Sequence, residues 1–257
     1  EDSSAAMSKG TMIHMYILQP DEFKKTYKVS SMLKPQSEQQ KKFCEELHKT
    51  IEIEPNKAIL SAYKAAYKVN AQSDDLTLSK GLKIASELKD YIDSLNSDYI
   101  IITPLQLKEL ENIRNNIVNH KLANELIYKV QDVLELETHH EFHINWEDIV
   151  PCKSLLDACT FDFKNKICDI SDLKTTVHIG CFEESVKQYD YFRQFEFYSK
   201  AVKWYIKNEL YENTKDWKIN VYIIAIDTIH NNEVRVFKLT DKQLKSTDKE
   251  INKALTA

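Results

Sequence analysis

Glycine is scarce in this chain of 257 residues, which has only three, at Gly10, Gly81 and Gly180. A loop that cradles the phosphates of a nucleotide needs two or three glycines within a few residues, because the backbone must approach the phosphates closely. The sequence also has no run of about 20 apolar residues and no apolar leader at its start. We therefore exclude P-loop NTPases and Rossmann-type oxidoreductases, and we expect neither a membrane nor a secreted protein.

Cysteine pairs with metal-binding spacing are also missing. None of the cysteines forms a Cys-x-x-Cys pair, which argues against a zinc ribbon. Their odd number predicts reduced thiols and a cytoplasmic location. The five are Cys44, Cys152, Cys159, Cys168 and Cys181. The chain begins with Glu1 rather than Met, from which we expect that an upstream segment is missing.

An excess of positive charge is absent as well. The 35 Lys and Arg against 40 Asp and Glu give a net charge of −5. A protein that coats nucleic acid usually carries net positive charge, because phosphate contacts dominate its affinity. The composition argues against a coating role, but it agrees with an enzyme whose basic groups line one cleft.

The pattern of apolar residues changes near residue 134. Residues 4–18 have helical spacing and are followed by Gln19-Pro20, which ends a helix. Residues 35–133 are almost entirely helical in pattern, with a strand-like interruption at 99–103. We predict one domain over residues 1–257, in which 35–133 is a helical insertion or arm and 134–245 is the catalytic core.

Strand patterns dominate that core. EFHINW alternates apolar and polar residues, and SLLDACTFDF and ICDISDLKTT form a predicted hairpin through Lys164–Lys166. One long amphipathic helix is predicted over 182–209, a second hairpin follows, and a final helix is predicted over 241–257. The expected fold class is α/β, with a mixed central sheet flanked by helices.

Two carboxylates and a lysine come together on the first predicted hairpin. Residues two apart on a strand share a face, so Asp172 and Lys174 point together, and Asp157 on the paired strand reaches the same place. This set suits a hard divalent cation beside a group that positions or deprotonates water. An exposed salt bridge is the alternative interpretation of an Asp-x-Lys strand.

The helix that follows carries Gln194 and Tyr198, four residues apart and therefore on one face. Its many aromatic residues are also typical of simple core packing. Near the start of the chain, His14 lies among Met12, Ile13 and Met15, where a histidine is usually part of a core.

Taken together, these segments resemble the PD-(D/E)xK nuclease superfamily. The match is LLDACTFDFKNKICDISDLKTT followed by YDYFRQFEFYSKA, although Leu156 replaces the usual proline. KGTMIHMYILQPDEF is similar to the G-x-x-x-H…L-x-P-x-x-F segment that opens RecE-type exonuclease domains. VYIIAIDTIHNNEVRVFKL is similar to the strand pair that closes that fold. The resemblance covers roughly residues 7–25 and 137–245 and implies a restriction-endonuclease-like core.

The resemblance implies a role for each matching residue. His14, Asp157, Asp172 and the backbone carbonyl of Leu173 would hold Mg²⁺, with Mn²⁺ as an alternative. Lys174 would activate the attacking water, Gln194 would support the site or touch the DNA backbone, and Tyr198 would pack beneath it. No iron–sulfur cluster is expected, because no cysteine follows Cys181.

The function implied is that of a RecE/lambda-exonuclease-like, phage-type enzyme that degrades duplex DNA from its ends, 5′ to 3′, in recombination or genome processing. The implied partners are DNA ends, a single-strand annealing protein and further copies in a ring, in the cytoplasm of the host cell. A structure-specific or nicking endonuclease and a non-catalytic DNA-binding module are the alternatives.

Several other residues are weaker candidates. His140 and His143 have zinc-like spacing without a second pair of ligands, and the strand alternation of EFHINW is the preferred explanation of both. The resemblance gives Glu141 a supporting position near the metals. Asp162 and Asp169 lie on the hairpin with less convincing parity, and Cys152 lacks a His–carboxylate pair. Arg193 either binds phosphate or lies on the surface.

Overall fold

The computed structural model describes residues 2–31, 33–50, 54–69, 73–95, 99–128, 140–146, 150–247, 249–251 and 253, with the backbone alone for 2–8, 140, 144–146 and 150. The chain divides into two compact units, one of Glu1–Phe23 with Lys108–Ala257 and the other of Lys24–Leu107. Within these described ranges, no helix combines the length and the hydropathy needed to cross a membrane.

Helices and strands alternate along the chain in unequal blocks. The helices are α1 (Asp2–Leu18), α2 (Pro20–Thr26), α3 (Glu38–Lys49), α4 (Pro55–Tyr67), α5 (Asp74–Glu87), α6 (Lys89–Ser94), α7 (Pro104–Asn119), α8 (Lys121–Ile127), α9 (Phe182–Gln188), α10 (Tyr191–Asn208) and α11 (Asp241–Lys245). The strands are β1 (Tyr27–Val29), β2 (Ile100–Ile102), β3 (His140–Trp146), β4 (Val150–Leu156), β5 (Ala158–Asp162), β6 (Ile167–Thr176), β7 (Lys218–Asp227) and β8 (Val234–Leu239).

The unit Lys24–Leu107 is a small helical body with one parallel strand pair, β1 and β2. Helix α3 begins at Ser37, whose hydroxyl accepts a hydrogen bond from the Gln40 N–H and so satisfies one free backbone donor. Apolar side chains from α3, α4 and α6 form its core, with Phe43 and Tyr63 in an edge-to-face contact. The strand-like interruption predicted at 99–103 is β2.

The other unit is built on a four-stranded sheet of order β5-β6-β7-β8. Strands β6 and β7 are parallel, whereas the outer pairs are antiparallel, so the sheet is mixed. The parallel pair needs a long crossover, which α9 and α10 supply between β6 and β7. The predicted α/β class with a mixed sheet flanked by helices is confirmed.

Helix α10 packs its apolar stripe on the sheet. Phe195, Val202 and Ile206 recur at helical spacing and are all fully buried. They pack in one cluster with apolar side chains of β5, β6, β7 and α9: Phe161, Ile170, Phe182, Val221 and Ile223. Strands β3 and β4 form a separate antiparallel pair, and Phe142 of β3 meets Tyr205 of α10 edge to face.

The single helix predicted over 182–209 is wrong in one respect, because it breaks into α9 and α10. At the break Asp190 has a φ of 52°, in the left-handed region that interrupts a right-handed helix. Asparagine and aspartate tolerate this conformation better than other side chains. The final helix predicted over 241–257 begins at Asp241 as α11, which ends at Lys245. Residues 249–251 and 253 are helical again, and residues 248, 252 and 254–257 lie outside the described ranges.

Helix α7, from Lys108 onward, and helix α8 belong to the unit that contains the sheet. Leu110, Ile113 and Ile117 form the buried face of α7, and α8 contacts β5, β6 and β8. The helical segment predicted as an insertion ran from 35 to 133, whereas the compact helical unit extends from Lys24 to Leu107. Residues 129–133 of the predicted segment lie outside the described residues.

Candidate active site

Asp157 and Asp172 are brought together by the pairing of β5 with β6. The antiparallel register pairs Ala158 with Ser171, and the next pair along this register is Asp157 with Asp172. Asp157 lies in the bend between β4 and β5, where its Oδ2 accepts a hydrogen bond of 2.8 Å from the Leu173 N–H. That bond holds the carboxylate at the start of β5, beside β6.

Lys174 and Asp172 form an ion pair on the same face of β6. The Lys174 Nζ lies 2.5 Å from the Asp172 Oδ2, as expected for residues two apart on a strand. Asp172 is 2% exposed and Leu173, between them, is buried on the opposite face. A strand buried on both faces does not alternate between apolar and polar residues. The position of Asp172 is therefore recognised from its buried charge and not from the hydrophobic periodicity of β6.

His14 reaches the carboxylates from α1, more than 140 residues away in the chain. Its Nδ1 lies 3.4 Å from the Asp157 Oδ2. One turn earlier in the helix, a Cβ on Gly10 would lie 3.3 Å from the Thr175 Oγ1, so glycine allows α1 to approach β6 closely. Met12 and Ile13 are buried beside it. Met12 and Ile13 are core residues and Met15 is half-buried, while His14 itself faces Asp157.

The charges in this cluster perturb one another. Burial, followed by the charge of Asp157, raises the pKa of Asp172 to about 6, against the smaller opposing effect of Lys174. Burial alone would also raise the pKa of Asp157, but His14 and the Leu173 N–H lower it overall. For His14, burial lowers the pKa. The hydrogen bond with Asp157 and the charge of Asp157 together outweigh burial, so the pKa of His14 is raised overall. Asp157 therefore ionises at a lower pH than an ordinary aspartate, and Asp172 ionises at a higher pH.

Helix α10 contributes a hydrogen-bonded pair and an aromatic ring to the same region. The Gln194 Nε2 donates a 2.7 Å hydrogen bond to the Tyr198 Oη. Burial, and then the charge of Asp172, raise the pKa of Tyr198. The same two causes raise the pKa of Tyr191 to about 12. Both tyrosines are therefore close enough to Asp172 to sense its charge.

Tyr191 is a site residue that the sequence interpretation missed. The Lys174 Nζ lies 5.1 Å from the centre of its ring and 5.9 Å from that of Phe195, so both rings shield the ammonium group. A signal was present, because Tyr191 precedes Gln194 by three residues and Tyr198 by seven and therefore shares their helical face.

The donor atoms suit a hard divalent cation, although they are not gathered into a finished coordination shell. Carboxylate oxygens and an imidazole nitrogen are suitable ligands, and the Asp172 Oδ2 is buried with no aligned hydrogen-bond donor among the described residues. Within the same ranges, no three His, Cys, Asp or Glu side chains form a ready metal cluster. The structure pairs these groups with Lys174, His14 and the Leu173 N–H instead. The ligand role of the Leu173 carbonyl stays a prediction.

Polar side chains of the strand pair β3–β4 contact one another. Glu141 is bound by the Lys153 Nζ at 2.7 Å and by the His143 Nε2 at 2.6 Å, all three on the exposed side. These contacts account for Glu141 and His143 without the candidate site. The side chain of His140 lies outside the described residues.

The remaining weaker candidates have structural partners. Asp162 accepts hydrogen bonds from Asn165 and closes the β5–β6 turn, and Asp169 accepts one from the Asn220 side chain. Arg193 is exposed and paired with Asp190 at 3.0 Å, which favours its surface interpretation. Cys152 is half-buried against the core of the sheet.

Comparisons with known proteins add little to this geometry. No protein-family model matches the sequence, and no curated protein matches it either. Among solved structures, the chain is similar to the crystal structure of the "Putative exonuclease" from Eubacterium rectale, at 13% identity and a TM-score of 0.42, over 74% of this chain and 68% of that one. The functional argument therefore rests on the site.

Proposed function

We propose that the protein is a metal-dependent nuclease that hydrolyses the phosphodiester bonds of DNA. One observation carries the proposal: Asp172 is buried beside a second carboxylate, with a lysine at 2.5 Å and a histidine beside the second carboxylate. Burying a carboxylate beside a second, half-buried carboxylate is costly to the fold, and strongly perturbed carboxyl groups are typical of catalytic sites.

His14, Asp157 and Asp172 would hold the cation, with the Leu173 carbonyl as a fourth ligand by resemblance. When bound, a divalent cation supplies Lewis-acid stabilisation of the phosphate and lowers the pKa of bound water. The pKa of about 6 for Asp172 makes this carboxyl group ionised at neutral pH and therefore available as an oxygen ligand.

Lys174 is suited to act on the water and on the phosphate. Its ammonium group lies against Asp172 and under the rings of Tyr191 and Phe195, which limit its freedom of movement. A fixed positive charge stabilises the negative charge that develops on the phosphate oxygens in the transition state. The ammonium group can also orient the attacking water by donating a hydrogen bond to the water oxygen.

Gln194 and Tyr198 would position the site rather than react. Their mutual hydrogen bond leaves the second Nε2 proton and the Oε1 of Gln194 available to a backbone phosphate or a water. Tyr198 packs edge to face on Phe195 and thereby fixes this pair to the core of α10.

We further propose the finer assignment implied by the motifs, namely a PD-(D/E)xK core of the RecE/lambda-exonuclease-like type that acts 5′ to 3′ on duplex ends in phage recombination. The support is the order of four separated motifs and the presence of one residue for each expected role. A nicking or structure-specific endonuclease would use the same residues, because end preference resides in loops and assembly.

The test compares linear duplex DNA, labelled at one 5′ end, with covalently closed duplex DNA that carries an internal label, in Mg²⁺, Mn²⁺ or EDTA. We expect only linear DNA to disappear, from the 5′ end, and only with metal. Asp172→Asn and Lys174→Ala should abolish hydrolysis. Asp169→Asn, on the same strand with a structural partner, is the matched control and should keep it.

Each other result has a clear meaning. Cutting of the closed circle would replace the exonuclease by the endonuclease. Activity that survives in Asp172→Asn would refute the proposed site. Metal-independent binding of DNA without hydrolysis would leave the non-catalytic binding module.

The resemblance also supports a homo-oligomeric ring and a single-strand annealing protein as partner, and we propose both. Light scattering after size-exclusion chromatography would measure the first. A monomer at the concentrations at which DNA is degraded would refute the ring.

A further inference from the structure

An apolar groove lies beside the candidate site. Val177, Tyr189 and Ile229 are 60%, 62% and 63% exposed, respectively, and line one concavity of about 430 Å³. Its other lining residues are Lys9, Gly10, Thr175, Thr176, Ser185 and Thr228. The volume is within the roughly 300–1,000 Å³ of small-ligand sites. Large apolar side chains that converge while exposed usually mark a binding surface.

Hydrogen bonds fix the walls of this groove. The Thr228 N–H donates to the Thr176 carbonyl at 2.8 Å, which ties the ends of β6 and β7 together. The Asp227 carboxylate accepts hydrogen bonds from the Ile229 N–H at 2.8 Å and the Ile179 N–H at 3.3 Å. These bonds hold the segments that carry Ile229 and Val177, so the apolar side chains are displayed on a preformed framework.

The groove is continuous with the candidate catalytic residues. Tyr189 stacks on Tyr191, with ring centres 5.8 Å apart and planes 25° from parallel. Tyr191 in turn lies 5.1 Å from the Lys174 Nζ. Thr175, the residue after Lys174, lines the groove. A chain of contacts thus leads from the ammonium group to the exposed ring of Tyr189.

We propose that this groove binds one unpaired nucleobase of the strand that is cut, an inference that rests on the proposed function for its substrate. A phosphodiester held at Lys174 carries bases on either side, and a base out of its duplex exposes two apolar faces. An exposed aromatic ring stacks on such a face without regard to sequence. Val177 and Ile229 cover the rest of an apolar surface, while the threonine hydroxyls and Lys9 suit the polar edge. A paired base inside a duplex exposes neither face, and a terminal base pair exposes only one and is twice the size of a single base, so the occupant is an unpaired base.

The experiment measures binding without cleavage. Duplexes with a three-nucleotide overhang, either base-bearing or abasic, are labelled at the far end and titrated with protein in EDTA by fluorescence anisotropy. We expect the wild type to bind the base-bearing overhang roughly 5- to 100-fold more tightly than the abasic one. Tyr189→Ala should abolish that preference and Tyr189→Phe should keep it.

Two further variants serve as a second test of the groove and as a control for the loss of an exposed tyrosine. Ile229→Ser, at another exposed apolar residue of the groove, should reduce the preference independently of Tyr189. Tyr211→Ala, which removes a tyrosine that is 88% exposed and does not line the groove, should keep it. Equal binding of both overhangs by the wild type, or an unchanged preference in Tyr189→Ala, would overturn the proposal. Self-association lost in Tyr189→Ala, without any base preference, would do the same and assign the groove to a second copy.

The outcome is separable from that of the proposed function. Hydrolysis of DNA by a wild type that shows no base preference would refute the groove alone. A base preference without hydrolysis by the same protein would support the groove and refute the nuclease.

Discussion

Asp172→Asn should stabilise the metal-free protein while it removes hydrolysis. Asp172 is 2% exposed, and its pKa is raised from 3.8 to about 6. A difference of this size corresponds to about 3 kcal/mol by which folding disfavours the ionised carboxyl group. Asparagine removes the charge at nearly constant volume, although it leaves Lys174 without its partner. We expect the free energy of unfolding to increase by roughly 1–3 kcal/mol in EDTA at pH 8. Each kcal/mol should raise the Tm by about 2–4 °C.

The pH dependence of this gain has a defined sign. The folded pKa lies above the unfolded one, so the unfolded chain loses the Asp172 proton first and stability falls as pH rises from about 4 to about 6. The difference between Asp172→Asn and wild type should be near zero below pH 4 and complete above pH 6.

The assay is urea unfolding in EDTA at a series of pH values, with Asp169→Asn as the control. Asp169→Asn keeps an oxygen for the Asn220 side chain and should not gain stability at pH 8. A loss of stability in Asp172→Asn at pH 8 would refute the reasoning, because it would mean that the buried charge stabilises the fold.

Three further substitutions test other parts of the unit. Tyr198→Phe removes the hydroxyl that Gln194 binds and should slow hydrolysis roughly 2- to 10-fold in a steady-state assay, and an unchanged rate would refute the positioning role. Asp227→Asn should lower the free energy of unfolding by roughly 1–3 kcal/mol at pH 7, because the carboxylate accepts hydrogen bonds from three backbone N–H groups and has a lowered pKa. Urea unfolding at a series of pH values should show that the difference from wild type disappears as the pH falls through that lowered pKa. Leu156→Ala, at a fully buried position, should cost about 2–5 kcal/mol by the same measurement.

Local patterns predicted the parts of the site that one element can carry. The spacing of Asp172 and Lys174 is a strand property, and that of Gln194 and Tyr198 is a helix property, so each pair was visible in the sequence. The hairpin signal between β5 and β6 was equally local, and its register brings Asp157 to Asp172.

Long-range pairings and special backbone conformations were not visible. The parallel pairing of β6 with β7 joins strands separated by two helices, and no periodicity encodes it. The positive φ of Asp190 is set by the turn between α9 and α10, and it is this turn that presents Tyr189 and Tyr191. The apolar face of α7 is visible in the sequence, but the sequence does not show which unit that face packs against.

The placement of His14 shows how such long-range packing determines chemistry. Helix α1 is held by its buried apolar side chains, by a 2.9 Å hydrogen bond from the Lys9 Nζ to the Thr228 carbonyl and by an ion pair of the same ammonium group with Glu109 at 2.7 Å. Burial of a single large apolar side chain contributes about 1.5–3 kcal/mol, more than the long, partly exposed contact of His14 with Asp157 at 3.4 Å. His14→Ala should therefore leave α1 in place, change the free energy of unfolding by less than about 1 kcal/mol, and still lower metal-dependent hydrolysis sharply. Ile13→Ala, its buried neighbour, should cost about 2–5 kcal/mol in unfolding measurements. If His14→Ala destabilises the protein as much as Ile13→Ala does, the histidine is a core residue and its place in the site is refuted.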